Sequence, residues 1–255
     1  MANQAGLVSV SFRKNTVEEV VAAAKAAGLT AIEWGGDIHV PHGDLSAAQK
    51  AADLCKEAGI SIPEYGSYYI IGKSEPQEFD RVVASARVLG TDMIRVWPGQ
   101  MLRTAELTPE GYAAMVSDAQ RICDAAPELR IALECHPMSL TEEYTMALKF
   151  MEDVARENLK MFWQPCQYHD LAYNLAAIDA LLPYVQSVHV FNWTANKDNP
   201  WPNRFPLAQG EQTWKLYLEK LTKKDGLNYM LEFMPDDSTD SLPREAAALK
   251  GWLGL

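Results

Sequence analysis

The sequence predicts an α/β fold, a single-domain (β/α)8 barrel of the TIM type over residues 1–255. Three observations predict it. Short runs of β-branched and aromatic residues alternate eight times with longer segments of helical period, punctuated by Gly, Pro, Asp or Asn. A length of 255 residues suits a complete barrel, and no linker, charge block or low-complexity run divides it. No GxGxxG follows the first strand, which disfavours the doubly wound open sheet.

The first unit is a strand at 7–12 (LVSVSF) and a helix that starts at Thr16, an N-cap with Glu19 three residues on, and stops at Gly28. The second strand is 30–34 (TAIEW); the loop GGDIHVPHGD leads to a helix from Ser46 to near Gly59. Strand 60–65 (ISIPEY), a helix at 76–89, strand 92–97 (DMIRVW) and a helix at 108–125 complete the first half. The second half runs through strand 129–135 (LRIALEC), helix 142–156, strand 160–164 (KMFWQ), helix 173–182 and strand 185–191 (VQSVHVF). A helix near 211–222, strand 227–233 (LNYMLEF) and a last helix from Leu242 close the eighth unit.

The net charge of -11 repels phosphate backbones and anionic headgroups, so neither nucleic acid nor membrane is expected as a partner. A small neutral substrate fits better. Residues Met1 to Leu7 lack a basic stretch followed by an apolar run, and no apolar run is long enough to span a bilayer, so a cytoplasmic protein is expected. Cys55, Cys123, Cys135 and Cys166 form no CxxC pair and read as reduced thiols.

Polar side chains at the C-terminal ends of barrel strands converge on one mouth, whereas strand interiors are packed with branched apolar residues. The last four strands end in Glu134, Gln164, His189 and Glu232: oxygen, oxygen, nitrogen and oxygen donors. Taken singly, a strand histidine is usually a hydrogen-bonded core residue and a strand-end glutamate a solvated one. Four ligand-type residues at equivalent places on consecutive units point to one metal site, suited to Mn²⁺, Mg²⁺ or Co²⁺ and less to Zn²⁺.

The segments IEWGGDIHVPHGD, ALECHP, FWQP, VHVFNW and LEF carry a resemblance, over essentially the whole chain, to the xylose isomerase-like TIM barrel superfamily. That superfamily includes sugar isomerases and epimerases, several dehydratases and endonuclease IV. In its ketose 3-epimerase branch, the resemblance implies that Glu134 and Glu232 bind metal and exchange the substrate proton on opposite faces of a carbon, with His189 completing the site. The chain departs from that branch at two positions, Gln164 in place of a metal-binding Asp and Gln167 in place of a substrate-binding His. A neutral amide lowers the affinity for the ion while leaving it more Lewis acidic. The superfamily often forms homodimers or homotetramers.

Further candidates surround the mouth. His39 and His42 lie in the loop after the second strand, next to Asp37 and Asp44, and His136 shares a face with Glu134 if that strand continues past Pro137. The resemblance makes Arg204, in NRFPLAQGE, a substrate contact; the alternative is an exposed arginine paired with an acid. Trp34, Trp97, Trp163 and Trp193 fall at strand ends, where aromatic faces suit sugar C–H groups, and Trp97 and Trp193 join His39, His136, Gln167 and Arg204 as the substrate-binding set. Tyr65, Tyr68 and Tyr69 offer hydroxyls, and Arg95, a charge in a barrel strand, needs Glu33, Glu64 or Glu134 as partner.

The expected activity is a divalent-metal-dependent sugar isomerase or epimerase, in which Glu134 and Glu232 move a proton α to a carbonyl through a metal-stabilised enediolate. A dehydratase acting on a keto-cyclitol or similar polyol uses the same enolate, and a non-catalytic sugar-binding barrel would follow if Gln164 marks loss of the metal. Five histidines and an acidic balance supply neither the metal cluster nor the basic groove of an endonuclease.

Overall fold

The structure, a computed structural model, describes residues 3–99, 102–195 and 203–255. Its strands are β1 (Gln4–Val8), β2 (Ala31–Gly35), β3 (Tyr65–Ile70), β4 (Met93–Trp97), β5 (Arg130–Glu134), β6 (Leu159–Trp163), β7 (Val185–Val190), β8 (Trp193–Thr194), β9 (Asn203–Arg204) and β10 (Asn228–Leu231). The helices are α1 (Val17–Ala26), α2 (Leu45–Ala58), α3 (Pro76–Leu89), α4 (Pro109–Ala125), α5 (Tyr144–Val154), α6 (Leu171–Leu181), α7 (Glu211–Leu221) and α8 (Leu242–Leu253). Strands β1 to β7 follow one another around a parallel barrel, which β10 closes by pairing with both β7 and β1. The (β/α)8 architecture is thus as the sequence predicts.

Local chemistry sets the helix starts. Thr16 accepts the Glu19 amide while the Glu19 carboxylate accepts the Thr16 amide, a complete capping box. Asp44, Thr108 and Asp170 cap α2, α4 and α6 in the same sense.

Two strands differ from expectation. The first lies at Gln4–Val8 instead of 7–12, because residues 9–12 wind into a 3-10 turn whose Ser9 and Ser11 hydroxyls accept the Gly35 and Phe233 amides. The third begins at Tyr65, where the sequence pattern suggested 60–65. Pro63 lacks the N–H that a ladder needs, so only an isolated bridge between Ala31 and Ser61 forms before it. A small antiparallel pairing of β8 with β9 lies outside the expected units.

Alternation along the strands separates two apolar layers. Outward residues such as Leu7, Ile32, Ile94, Val96, Ile131, Leu133 and Trp163 join Val20, Phe79, Val82, Ile122 and Phe150 of the helices in the main core. Inside the barrel, Met93, Ala132 and Phe162 form one small cluster and Val8, Val10, Ala31 and Met230 another. Each fully buried Leu, Ile or Phe contributes about 1.5–3 kcal/mol over exposure, and this stiff wall fixes the polar residues that share the interior.

Candidate active site

The ends of four strands in spatial succession deliver the polar cluster. Glu134 is the last residue of β5, Gln164 follows β6, His189 is the penultimate residue of β7 and Glu232 follows β10. All four are buried. Nδ1 of His189 lies 3.3 Å from Oε1 of Gln164, 3.4 Å from Oε1 of Glu134 and 3.7 Å from Oε2 of Glu232. Neighbouring donors around an octahedral ion with 2.0–2.1 Å bonds stand about 3 Å apart, so this grouping needs little contraction to enclose one ion. The Glu134, His189 and Glu232 donor atoms lie within 4.8 Å of one another. The residues present therefore fit a divalent cation.

A second set of charges backs the first. Nε2 of His189 lies 2.8 Å from Oε2 of Glu33, which is fully buried on β2. Arg95, on β4, sits 2.9 Å from Oε2 of Glu134 and 3.5 Å from Oε1 of Glu33. These two contacts have ion-pair distances without hydrogen-bond angles, so those carboxylate oxygens and the Nε and Nη1 of Arg95 are buried without a hydrogen-bond partner among the described residues. The guanidinium also faces the rings of Tyr68 and Trp97 at 5.2 and 5.6 Å. Of the three acids that the sequence offered to Arg95, Glu64 pairs elsewhere: it accepts the Ser187 hydroxyl at 2.7 Å and the Asn228 amide at 3.0 Å.

These neighbours drive the carboxyl groups apart electrostatically. Burial raises Glu134, but the charge of Arg95, followed by His189, outweighs it and holds the carboxyl below its usual range. Burial pushes Glu232 upwards; His189 opposes this, and the negative charges of Glu134 and Glu33 add to it. Glu64 is also raised, by burial and by Glu33. Burial disfavours the His189 imidazolium, yet Glu33, Glu232 and Glu134 together raise it well above an ordinary histidine. One carboxylate stays ionised while the other is poised to carry a proton.

Of the expected substrate-binding residues, His136 and Trp97 pack against each other at the mouth, ring centroids 4.4 Å apart. Strand β5 ends at Glu134, so His136 stands in the following loop, its Nδ1 donating to the Pro137 carbonyl at 2.6 Å. Trp193 stacks on Phe191 at 3.8 Å. The indole N–H groups of Trp97 and Trp193 are buried without acceptors among the described residues. Gln167 is partly exposed on the loop after β6.

Arg204 pairs with Asp237 and covers the Phe233 ring at 4.3 Å. Phe233 follows Glu232 directly and holds a left-handed φ of 47°, a strained conformation for a non-glycine residue beside the site. His39 is buried in the loop after β2. Both of its ring nitrogens are taken up by the chain, Nδ1 against Ser9 Oγ at 3.1 Å and Nε2 against the Asn15 carbonyl at 3.2 Å, so it ties loops together. His42 is likewise engaged, by Glu78 and the Tyr68 amide.

Glu33 is the residue that sequence reasoning underrated, naming it only as a partner for Arg95. The signal was present: an acid inside the apolar strand AIEW must have a buried partner.

The sequence matches the family model described as xylose isomerase-like TIM barrel over residues 21–253. No curated protein matches it in sequence. Among solved structures it is similar to the probable 3-DHS dehydratase AsbF of Bacillus anthracis, at 18% identity and a TM-score of 0.80, covering 97% of this chain and 98% of that one. It is similar to a D-psicose 3-epimerase solved in the presence of D-fructose, at 16% identity, a TM-score of 0.68 and coverage of 99% and 100%. A xylose isomerase-like TIM barrel protein of Mycobacterium smegmatis in complex with magnesium matches at 14% identity, a TM-score of 0.69 and coverage of 98% and 95%. Such identities show a common fold alone. The family match, the closed parallel barrel and the strand-end cluster agree, and the chain belongs to the xylose isomerase-like TIM barrel family.

Proposed function

We propose that the chain is a divalent-metal-dependent isomerase or epimerase of a small sugar or related polyhydroxy ketone, moving a proton at the carbon next to a carbonyl. The observation that carries this reading is the set of three carboxylate and amide oxygens 3.3–3.7 Å from Nδ1 of His189, drawn from the ends of β5, β6 and β10. Glu134, Gln164, His189 and Glu232 would hold Mn²⁺, Mg²⁺ or Co²⁺. When bound, such an ion stabilises negative charge on the carbonyl and neighbouring hydroxyl oxygens of the substrate.

The chain's own groups supply the rest. Glu232, raised by its burial, takes up the proton; in an isomerisation it returns the proton to the neighbouring carbon, and in an epimerisation Glu134 would deliver a proton to the opposite face. The second oxygen of Glu134 faces Arg95, which keeps that carboxylate ionised and in place. The indole N–H groups of Trp97 and Trp193 offer donors to sugar oxygens.

The hold of Arg95 on Glu134 also favours a second reading, the course of a dehydratase, in which Glu232 removes the proton and passes it to the departing β-hydroxyl, which leaves as water. Incubation with Mn²⁺ or Co²⁺ and a panel of ketoses and keto-cyclitols in D₂O, followed by NMR and ultraviolet absorbance, tests both. Deuterium beside a carbonyl supports the isomerase, and an enone band supports the dehydratase. Either signal should disappear in Glu232→Gln. Neither signal from any member of the panel would overturn the enzymatic reading.

A further inference from the structure

Four buried side chains from four strands close a ring: Arg95 on β4 contacts Glu33 on β2, Glu33 contacts Nε2 of His189 on β7, His189 faces Glu134 on β5, and Glu134 returns to Arg95. We infer that Glu33 is a positioning residue, which fixes the Nε2–H form of His189 and so turns the Nδ1 lone pair towards the proposed metal site.

A histidine bound to a cation keeps one N–H and donates one lone pair, and the partner of one nitrogen decides the role of the other. The Glu33 carboxylate, 2.8 Å away, accepts from Nε2. That leaves Nδ1, the nitrogen surrounded by Glu134, Gln164 and Glu232, as the donor to a cation. A carboxylate behind a metal-bound histidine also makes the ring a stronger ligand. Charge alone does not account for Glu33, because the barrel has been shaped around it. A Cβ on Gly66 would stand 2.3 Å from Oε1 of Glu33 and 3.0 Å from Nη2 of Arg95, closer than atoms pack. Gly66 is therefore the space in which the Glu33 carboxylate sits, and Arg95 supplies its countercharge.

The inference rests on the metal reading of the site, and the test separates the two. Chelator-stripped full-length protein is titrated with Co²⁺ and followed by visible absorption, and the His189 ring is observed separately by ¹⁵N NMR without metal. The native chain should bind Co²⁺. Folded Glu33→Gln and Gly66→Ala should bind it about 10- to 100-fold more weakly with an altered d–d spectrum, the loss typical of a partner behind a ligand. In the metal-free native protein, the Nε2 proton should be shifted downfield and protected from exchange, and in Glu33→Gln it should move upfield. Variants with native affinity and spectrum, or a native Nε2 proton without these features, would overturn the role of Glu33. If Glu33→Gln fails to fold, Gly66→Ala and the native proton decide. Failure of the native chain to take Co²⁺ overturns the metal reading instead, while the ring proton still reports on Glu33.

Discussion

Replacing Arg95 with Leu removes the countercharge of two buried carboxylates while keeping an apolar stem of comparable length. At an effective dielectric of about 20, unit charges at the observed 2.9 and 3.5 Å attract by about 6 and about 5 kcal/mol. Much of this is cancelled, since the native protein must also desolvate the guanidinium of Arg95, a residue only 2% exposed. Removing one partner of such a buried pair leaves a net loss of about 3–5 kcal/mol. The loss should depend on pH with a definite sign. Native Glu134 is held below its usual range, so its contribution is present above the unfolded value of about 4.3 and disappears as pH falls through the lower folded value. In Arg95→Leu this contribution is absent and burial acts unopposed, so the gap between the two proteins narrows towards acid. Urea unfolding of metal-free protein, followed by tryptophan fluorescence at about pH 7.5 and about pH 4.5, measures both effects. A loss under about 1 kcal/mol at the higher pH, or one of equal size at both, would refute the assignment of Arg95 as the countercharge that keeps Glu134 ionised.

Two further outcomes are expected. Gln164→Glu keeps the length of the side chain and places a carboxylate where the amide oxygen lies 3.3 Å from His189, so Mn²⁺ or Co²⁺ affinity should rise by about tenfold or more. Calorimetric titration checks this, and unchanged affinity would remove Gln164 from the ligand set. Because His189 and Glu232 are both raised in the metal-free chain, metal binding should release protons and weaken as pH falls. Titrations in buffers of different ionisation enthalpy count the protons, and zero release near neutrality would contradict the protonation states described above.

The units after the third strand were legible because helix caps and apolar periods act locally: α3, α4 and α7 lie within a residue or so of their expected ranges. The third strand was misplaced because Pro63 interrupts a pattern that otherwise reads as β-structure, and hydrogen-bond partners outweigh composition in deciding where a ladder starts. The partners of His39 were not legible, because only the fold brings Ser9 and the Asn15 carbonyl to its two nitrogens.

The sequence by itself determined the barrel and the four strand ends at Glu134, Gln164, His189 and Glu232. Period-two alternation and the convergence of strand ends follow from backbone geometry alone. The tertiary structure decided which buried groups meet. Glu33 and His189 stand 156 residues apart in sequence, and only the closure of the barrel places them 2.8 Å from each other across its interior. The same closure gives Arg95 to Glu33 and Glu134 and leaves Glu64 to Ser187 and Asn228. Charges in a low-dielectric interior must be paired, but sequence shows only that partners are needed; barrel register chooses them.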